Sequence, residues 1–202
     1  MTYLGEGGQI PYLSKTNIIS EVENLLDECW DGVFPVDVEA ICDGLGIGII
    51  PIVGLSRNLG VDAFITADFK TINVDSAEFE KDSHRYRFSI AHELGHFILH
   101  RKYCPTSAED LGEWLDVFRQ FINDYAEFQA NYFAGSLLVP EEELIKVLDD
   151  AFCGSFIRNY WDASSAELGK ILIIVRKHFK VSDIVIARRM KDAFPGVGEN
   201  VK

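Results

Sequence analysis

The stretch FSIAHELGHFILH at residues 88–100 constrains this chain most, because it places histidines one helical turn apart in an apolar run. It contains His92, His96 and His100, and Glu93 follows the first of them. On a helix, His92 and His96 project from one face about 6 Å apart along the axis. Two imidazoles placed in this way can bind one metal ion at about 2.0–2.1 Å, and Glu93 can take a proton from water beside that ion. The pattern H-E-x-x-H therefore predicts a metal-binding helix.

The residues around the motif favour a metal site over an ordinary core helix. Two histidines and a glutamate buried in an apolar segment without partners would be unfavourable, and a bound ion removes that cost. Gly95 inside a helix costs roughly 1 kcal/mol relative to alanine, so it needs a packing reason. We expect another element of the protein to approach the helix closely at this glycine.

A third protein ligand must come from elsewhere in the chain. Side chains at i, i+4 and i+8 span about 12 Å along a helix, so His100 cannot share the ion and is predicted to support a ligand or the fold instead. The metzincin pattern is excluded, because Leu99 and Lys102 stand where that class needs glycine and histidine. The remaining candidates are glutamates in later segments: Glu109, Glu113, Glu127 and Glu141–Glu143.

Glu127 lies in the apolar segment DYAEFQANYFAGSLLVP, with Asn131 one helical turn later. Such a pair could supply one ligand and one acceptor for the N–H of a ligand histidine. The alternative for Glu127 is a structural one, in which it completes a capping box with Asp124 as the N-cap.

Composition and charge exclude several classes of protein. The net charge of −13 opposes binding to nucleic acid, which needs clustered Lys and Arg. No segment has the roughly 18 uncharged apolar residues of a membrane span, and the N-terminus lacks the basic start and apolar run of a signal peptide. The four cysteines stand far apart without a CxxC pair, which is typical of reduced thiols. We therefore expect a cytoplasmic protein that binds neither membranes nor nucleic acid directly.

The order of predicted elements indicates an α+β fold. Helices are expected at about 17–30 and after Pro35, followed by three strands, GIIPIVG, VDAFITA and KTINVD. Pro51 marks the first strand as an edge strand or a bulged strand, and the short step after the second strand predicts a hairpin. Further helices are expected around the motif, from Asn123–Asp124, from Pro140, after a Ser164–Glu167 capping box and after Ser182. We divide the chain into a flexible lead-in (1–16), a core (17–145) and a C-terminal helical extension packed on it (146–202).

Two segments together resemble the ImmA/IrrE family of metallopeptidases. RFSIAHELGHFILH is similar to the family's R-F-t-i-A-H-E-L-G-H-x-x-L-H helix, and AEFQANYFAGSLLVP to its E-x-E-A-N-x-F-A-x-x-L-L-M-P segment. The likeness covers about residues 33–145, with a looser match near the C-terminus. It implies a zincin-like fold, with a small mixed or antiparallel three-stranded sheet packed on the active-site helix. It further implies that His92, His96 and Glu127 bind one zinc ion and that Glu93 is catalytic, with Gln129 where the family often has a second glutamate.

The resemblance also implies a function. Family members cut transcriptional repressors and antitoxins or trigger their loss, so the expected activity is zinc-dependent cleavage of one regulatory protein, with a helix-turn-helix repressor or an antitoxin as the partner. The substrate could add to a sheet edge at VDAFITA. Tyr86, Arg87, His100 and Tyr103 are candidates for stabilising the oxyanion. The alternatives are a regulatory module that binds its partner without cutting it, and a DNA-binding protein with a helix-turn-helix in AELGKILIIVRKHFKVSDIVIARRM. In the latter segment the ordinary interpretation is a packed helix pair with solvated basic edges.

Overall fold

The computed structural model describes residues 10–77, 83–104, 111–151 and 165–194. Within these ranges the chain forms three strands and nine helices in the order α1 (Lys15–Cys29), α2 (Val38–Gly44), β1 (Gly48–Ile52), α3 (Leu55–Leu59), β2 (Ala63–Ile65), β3 (Thr71–Asp75), α4 (Ser83–His100), α5 (Leu111–Phe121), α6 (Asp124–Leu138), α7 (Glu141–Ala151), α8 (Ser165–Phe179) and α9 (Asp183–Ala193). The fold is α+β and mostly helical, as predicted, and is consistent with a zincin-like architecture.

Helix α1 begins two residues before the predicted start. Ser14 is its N-cap and accepts a hydrogen bond from the backbone N–H of Asn17 at 3.2 Å. Part of the predicted lead-in is packed on the protein, because Ile10 is only 7% exposed and lies against Ile122 and Ala126. Residues 1–9 lie outside the described ranges.

The three strands form one mixed sheet in the order β1–β3–β2. β1 runs parallel to β3, whereas β2 and β3 form the predicted antiparallel hairpin with Phe64 opposite Asn73. Pro51 lies on the edge strand β1, as predicted, where its missing N–H is harmless. β2 is the other edge. The backbone groups of Thr66 and Asp62 form hydrogen bonds with β3. The backbone groups of Ala63 and Ile65 therefore point to the outer edge of the sheet.

Helix α4, which carries the H-E-x-x-H motif, packs on the sheet and along α6. A Cβ atom at Gly95 would lie 3.0 Å from Cα of Ala130 and 3.1 Å from its carbonyl oxygen. Only a residue without a side chain allows the backbone of α6 to come this close. The predicted close approach at Gly95 is confirmed, and it sets α6 beside the two motif histidines.

Helix α6 begins at Asp124, so its N-cap lies one residue before the cap considered in the sequence analysis. Its N-cap is Asn123, whose side chain accepts from the N–H of Ala126 at 3.0 Å, so the proposed capping box of Asp124 with Glu127 is wrong. Helix α7 starts directly after Pro140, as expected. Ser182 is the N-cap of α9, although its side chain forms no capping hydrogen bond there. Ser164 lies outside the described residues.

The C-terminal helices share the central hydrophobic core. Side chains of α8 and α9, including Val175, Phe179 and Ile186, belong to the same buried cluster as Ile90 and Leu94 of α4. One basic residue departs from the expectation of solvated edges. Arg189 is only 3% exposed, because its Nε donates at 3.0 Å to the carbonyl of Val139 at the end of α6.

None of the described helices has the length and apolarity that crossing a bilayer requires.

Candidate metal centre

His92, His96 and Glu127 come together where α4 meets α6. Their ligand atoms all lie within 4.8 Å of one another. The two Nε2 atoms are 3.0 Å apart, and the carboxylate oxygens of Glu127 lie 3.4 Å from His92 Nε2 and 3.5 Å from His96 Nε2. Ligands of a tetrahedral ion bound at about 2.0–2.1 Å are roughly 3.3–3.4 Å from each other. The donor set and its spacing therefore fit a small divalent ion such as zinc.

His96 and Glu127 are held in the protonation states that bind a metal, whereas a metal must displace a proton from His92. Burial lowers the pKa of His96 to about 4, which keeps its imidazole neutral. Burial alone would lower the pKa of His92 as well, but hydrogen bonding to Glu127 and the nearby carboxylate charges outweigh it and raise that pKa. A hydrogen bond from His92 is the largest cause that lowers the pKa of Glu127, so its carboxylate is ionised. A metal ligand must carry a free lone pair, and a carboxylate and a neutral imidazole both do.

A buried chain of hydrogen bonds fixes which nitrogen of His96 is free. Gln129 Nε2 donates to the carbonyl of Pro11 at 3.1 Å, so its Oε1 faces His100 and accepts from His100 Nε2 at 2.9 Å. His100 Nδ1 is then an acceptor, and His96 Nδ1 donates to it across 3.0 Å. This leaves Nε2 of His96 without a proton and directed at Glu127. His100 and Gln129 are both fully buried.

Asn131 lies behind the other histidine. Its Nδ2 donates to the backbone carbonyl of Glu127 at 2.8 Å, one turn earlier in α6. Its side chain is also one of the polar groups that raise the pKa of His92. Asn131 therefore links the helix turn that carries Glu127 to the electrostatic surroundings of His92.

Glu93 is held by the sheet. The N–H of Ile65 on β2 donates to Glu93 Oε2 at 3.0 Å, and the side chain is 5% exposed. Burial raises the pKa of Glu93 to about 7. A carboxyl group with a pKa near neutrality can both accept and return a proton at the pH of a cell.

The site opens into a cleft of about 530 Å³ between β2, α4 and α5. His92, Glu93, His96 and Glu127 all line this cleft. Phe118 of α5 covers the ring of His96 in an edge-to-face contact, with centroids 5.3 Å apart. The cleft is thus walled by apolar side chains around a small set of polar groups, which is the usual form of a binding site.

Comparison with known protein families assigns the chain to one family. Residues 60–191 match the model of the IrrE N-terminal-like domain, Peptidase M78. The chain belongs to the ImmA/IrrE metallopeptidase family. The match extends past residue 145 through α8 into α9, whereas the upstream stretch from residue 33 lies outside it. A comparison with curated proteins finds no match.

In this ImmA/IrrE chain the other described candidate residues do not line the cleft of the candidate metal centre. Glu113 is exposed on α5, Glu141–Glu143 line a separate cavity at the start of α7, and Glu109 lies outside the described residues. The four oxyanion candidates, Tyr86, Arg87, His100 and Tyr103, are not among the residues that line the cleft. Its cationic residues are Arg85 and Arg119, which sequence reasoning missed because neither forms part of a recognised motif.

Proposed function

We propose that the chain is a zinc-dependent endopeptidase that cleaves one specific regulatory protein. The observation that carries the proposal is the grouping of His92, His96 and Glu127 beside Glu93 in a chain of a metallopeptidase family. Two imidazoles and one carboxylate are a ligand set of catalytic zinc sites, and zinc binding would displace the proton that the raised pKa of His92 favours. A zinc ion held there would activate water as a nucleophile at neutral pH and polarise the scissile carbonyl.

Glu93 acts as the acid–base residue in this mechanism. Ile65 N–H occupies Oε2, and the described residues place no hydrogen bond on Oε1, which is left to accept the proton of the attacking water. The same carboxyl group then returns the proton to the leaving amine. Because the Ile65 contact fixes the carboxylate against the sheet, the proton acceptor stays in place between the two steps.

The substrate would bind as an extended strand along the outer edge of β2. Some backbone groups of that edge already form hydrogen bonds, because the Ile65 N–H donates to Glu93 and the Ile65 carbonyl accepts from Trp114 Nε1 at 2.7 Å. Ala63 lines the cleft, and among the described residues nothing bonds to its backbone groups. Ala63 is therefore the position where an extended peptide can pair with the edge strand.

The regulatory partner we propose is a helix-turn-helix repressor or an antitoxin. The support for it is the family, whose members act on such proteins. A peptidase that serves one folded partner relies on contacts remote from the scissile bond, so casein and short generic peptides are expected to be poor substrates.

The test pairs the zinc-loaded chain with candidate repressors and antitoxins, beginning with the product of the neighbouring gene. The native chain is expected to cut one of them, and Glu93→Gln is expected to keep both metal and partner yet cut nothing. Depletion of the regulator by Glu93→Gln as fast as by the native chain would overturn catalysis and favour a module that acts by binding.

A further inference from the structure

A second cavity, of about 450 Å³, lies between α6 and α9 and is lined by an unusual number of cations. Lys15, Arg188, Arg189 and Lys191 face it, against the single carboxylate of Asp192. This concentration stands out because the chain as a whole carries a net charge of −13. We refer to this cavity as the basic pocket.

Two of these cations are already held in place. Lys15 Nζ forms an ion pair with Asp192 at 2.5 Å. The guanidinium of Arg189 is buried, and its Nη1 lies 3.6 Å from Asp192 without forming a hydrogen bond to any described group. A buried guanidinium N–H without an acceptor is unfavourable, and an oxygen of an anionic ligand would satisfy it.

The other two cations are available to a ligand. Arg188 and Lys191 are exposed, and the described part of the chain provides no ion-pair partner for either. They lie one helical turn apart on α9, so both side chains can reach the same anion.

The walls of the basic pocket are aromatic. The rings of Phe128 and Tyr132 are stacked with centroids 6.1 Å apart, and Lys15 Nζ lies 4.9 Å from the centroid of Tyr132. Such walls pack against the methylene groups of a side chain while the cations bind its charged end. A glutamate or aspartate side chain has this combination of a short apolar stem and an anionic tip.

The basic pocket adjoins the metal cleft. Phe88 lines both cavities, and Asn131, whose Nδ2 donates to the backbone carbonyl of Glu127, also lines the basic pocket. A peptide that crosses the metal centre in an extended form would therefore carry one of its flanking side chains past Phe88 into the pocket.

We propose that the basic pocket is a specificity subsite that binds an acidic side chain of the protein substrate, a few residues from the scissile bond. This inference rests on the proposed peptidase function for the identity of the ligand as substrate. Cleavage is then directed to sites flanked by glutamate or aspartate, and the metal centre acts on whichever bond this anchoring presents to it.

The test measures binding without cleavage. Acetylated and amidated octapeptides of alanine and glycine, with either two glutamates or two glutamines at the centre, are titrated into zinc-loaded Glu93→Gln protein at low ionic strength. The glutamate peptide is expected to bind on the order of tenfold more tightly. The double variant Arg188→Glu/Lys191→Glu should abolish the difference, whereas the matched control Lys170→Glu/Lys177→Glu on α8 should keep it.

Several outcomes would overturn the proposal. They are equal binding of the two peptides, no measurable binding of the glutamate peptide, or loss of the difference in the control variant as well. Binding of inorganic phosphate or of a single-stranded oligonucleotide at Arg188 and Lys191 without a preference for the glutamate peptide would assign the pocket to a different ligand.

The subsite and the peptidase activity can fail separately. If the native chain cuts its regulator and Arg188→Glu/Lys191→Glu leaves kcat/KM unchanged, the subsite is wrong and the peptidase stands. If the glutamate peptide binds as expected and no regulator is cut, the pocket binds acidic peptides but the peptidase is wrong.

Discussion

His96 presents Nε2 to Glu127 and Nδ1 to His100, whose own Nδ1 lies 3.0 Å away. Because Gln129 accepts from the far nitrogen of His100, the proton between the two histidines belongs to His96. The nitrogen of His96 that is free to bind a metal is therefore set by the side-chain amide of Gln129, which is itself fixed by the carbonyl of Pro11.

Replacing Gln129 with Ala should weaken zinc binding by about 10–100-fold, because His100 loses its acceptor and no longer holds His96. Gln129→Glu retains an acceptor for His100 and should keep most of the affinity, although its carboxylate would face the carbonyl of Pro11 without a donor. A competition titration with a chromophoric chelator measures both variants. Gln120→Ala, at an exposed position of α5, is the control. If Gln129→Ala binds zinc as tightly as this control, the hydrogen-bond chain from Gln129 through His100 to His96 does not support the site.

Replacing Asn131 with Ala should also weaken zinc binding by about 10–100-fold without unfolding the chain. The variant removes the hydrogen bond to the carbonyl of Glu127 and the polar side chain that raises the pKa of His92. The same titration, run beside thermal unfolding, separates metal affinity from stability. Unchanged affinity would remove Asn131 from the metal centre.

Gly95→Ala should destabilise the fold by about 1–3 kcal/mol, because the new methyl group would meet the backbone of Ala130 at 3.0 Å. The matched control is Gly169→Ala on α8, where a Cβ meets nothing within 4 Å. There alanine should stabilise the helix by up to about 1 kcal/mol. Chemical denaturation measures the change in the free energy of unfolding for both variants. No change for Gly95→Ala would show that α4 and α6 do not pack this closely.

The sequence could predict what depends on local spacing. The H-E-x-x-H helix, the hairpin, the edge position of Pro51 and the contact at Gly95 all follow from residues a few positions apart or from a single conformational constraint. The sequence could not decide whether Asn123 or Asp124 is the N-cap of α6, because both residue types are good N-caps.

The support of the site depends instead on contacts between distant segments. Gln129 reaches His100 across 29 positions and Pro11 across 118, and no periodicity encodes such pairs. Arg189 was expected at a solvated edge, and only the position of the end of α6 explains its burial. A polar residue within an apolar helix, such as Gln129, is the one signal that could have pointed to the network.

Burial raises the pKa of the Cys42 thiol and of the Cys104 thiol to about 12. The thiolate is the reactive form, so both residues should resist iodoacetamide in the native protein at pH 8 and react only well above the usual pH range of a thiol. Peptide mass spectrometry after timed alkylation measures this, and denatured protein, in which both cysteines should react fully, is the control. Rapid labelling of Cys104 in the native state would contradict its burial.

Metal content after chelator treatment and zinc loading tests the account most directly. Elemental analysis should find about one zinc ion per chain in the native protein and in Glu93→Gln, and little in His92→Ala or Glu127→Ala, which each lack one ligand. His100→Ala should still bind one ion, with reduced affinity. Less than about 0.2 zinc per native chain, or full zinc content in both ligand variants, would contradict a metal centre formed by His92, His96 and Glu127.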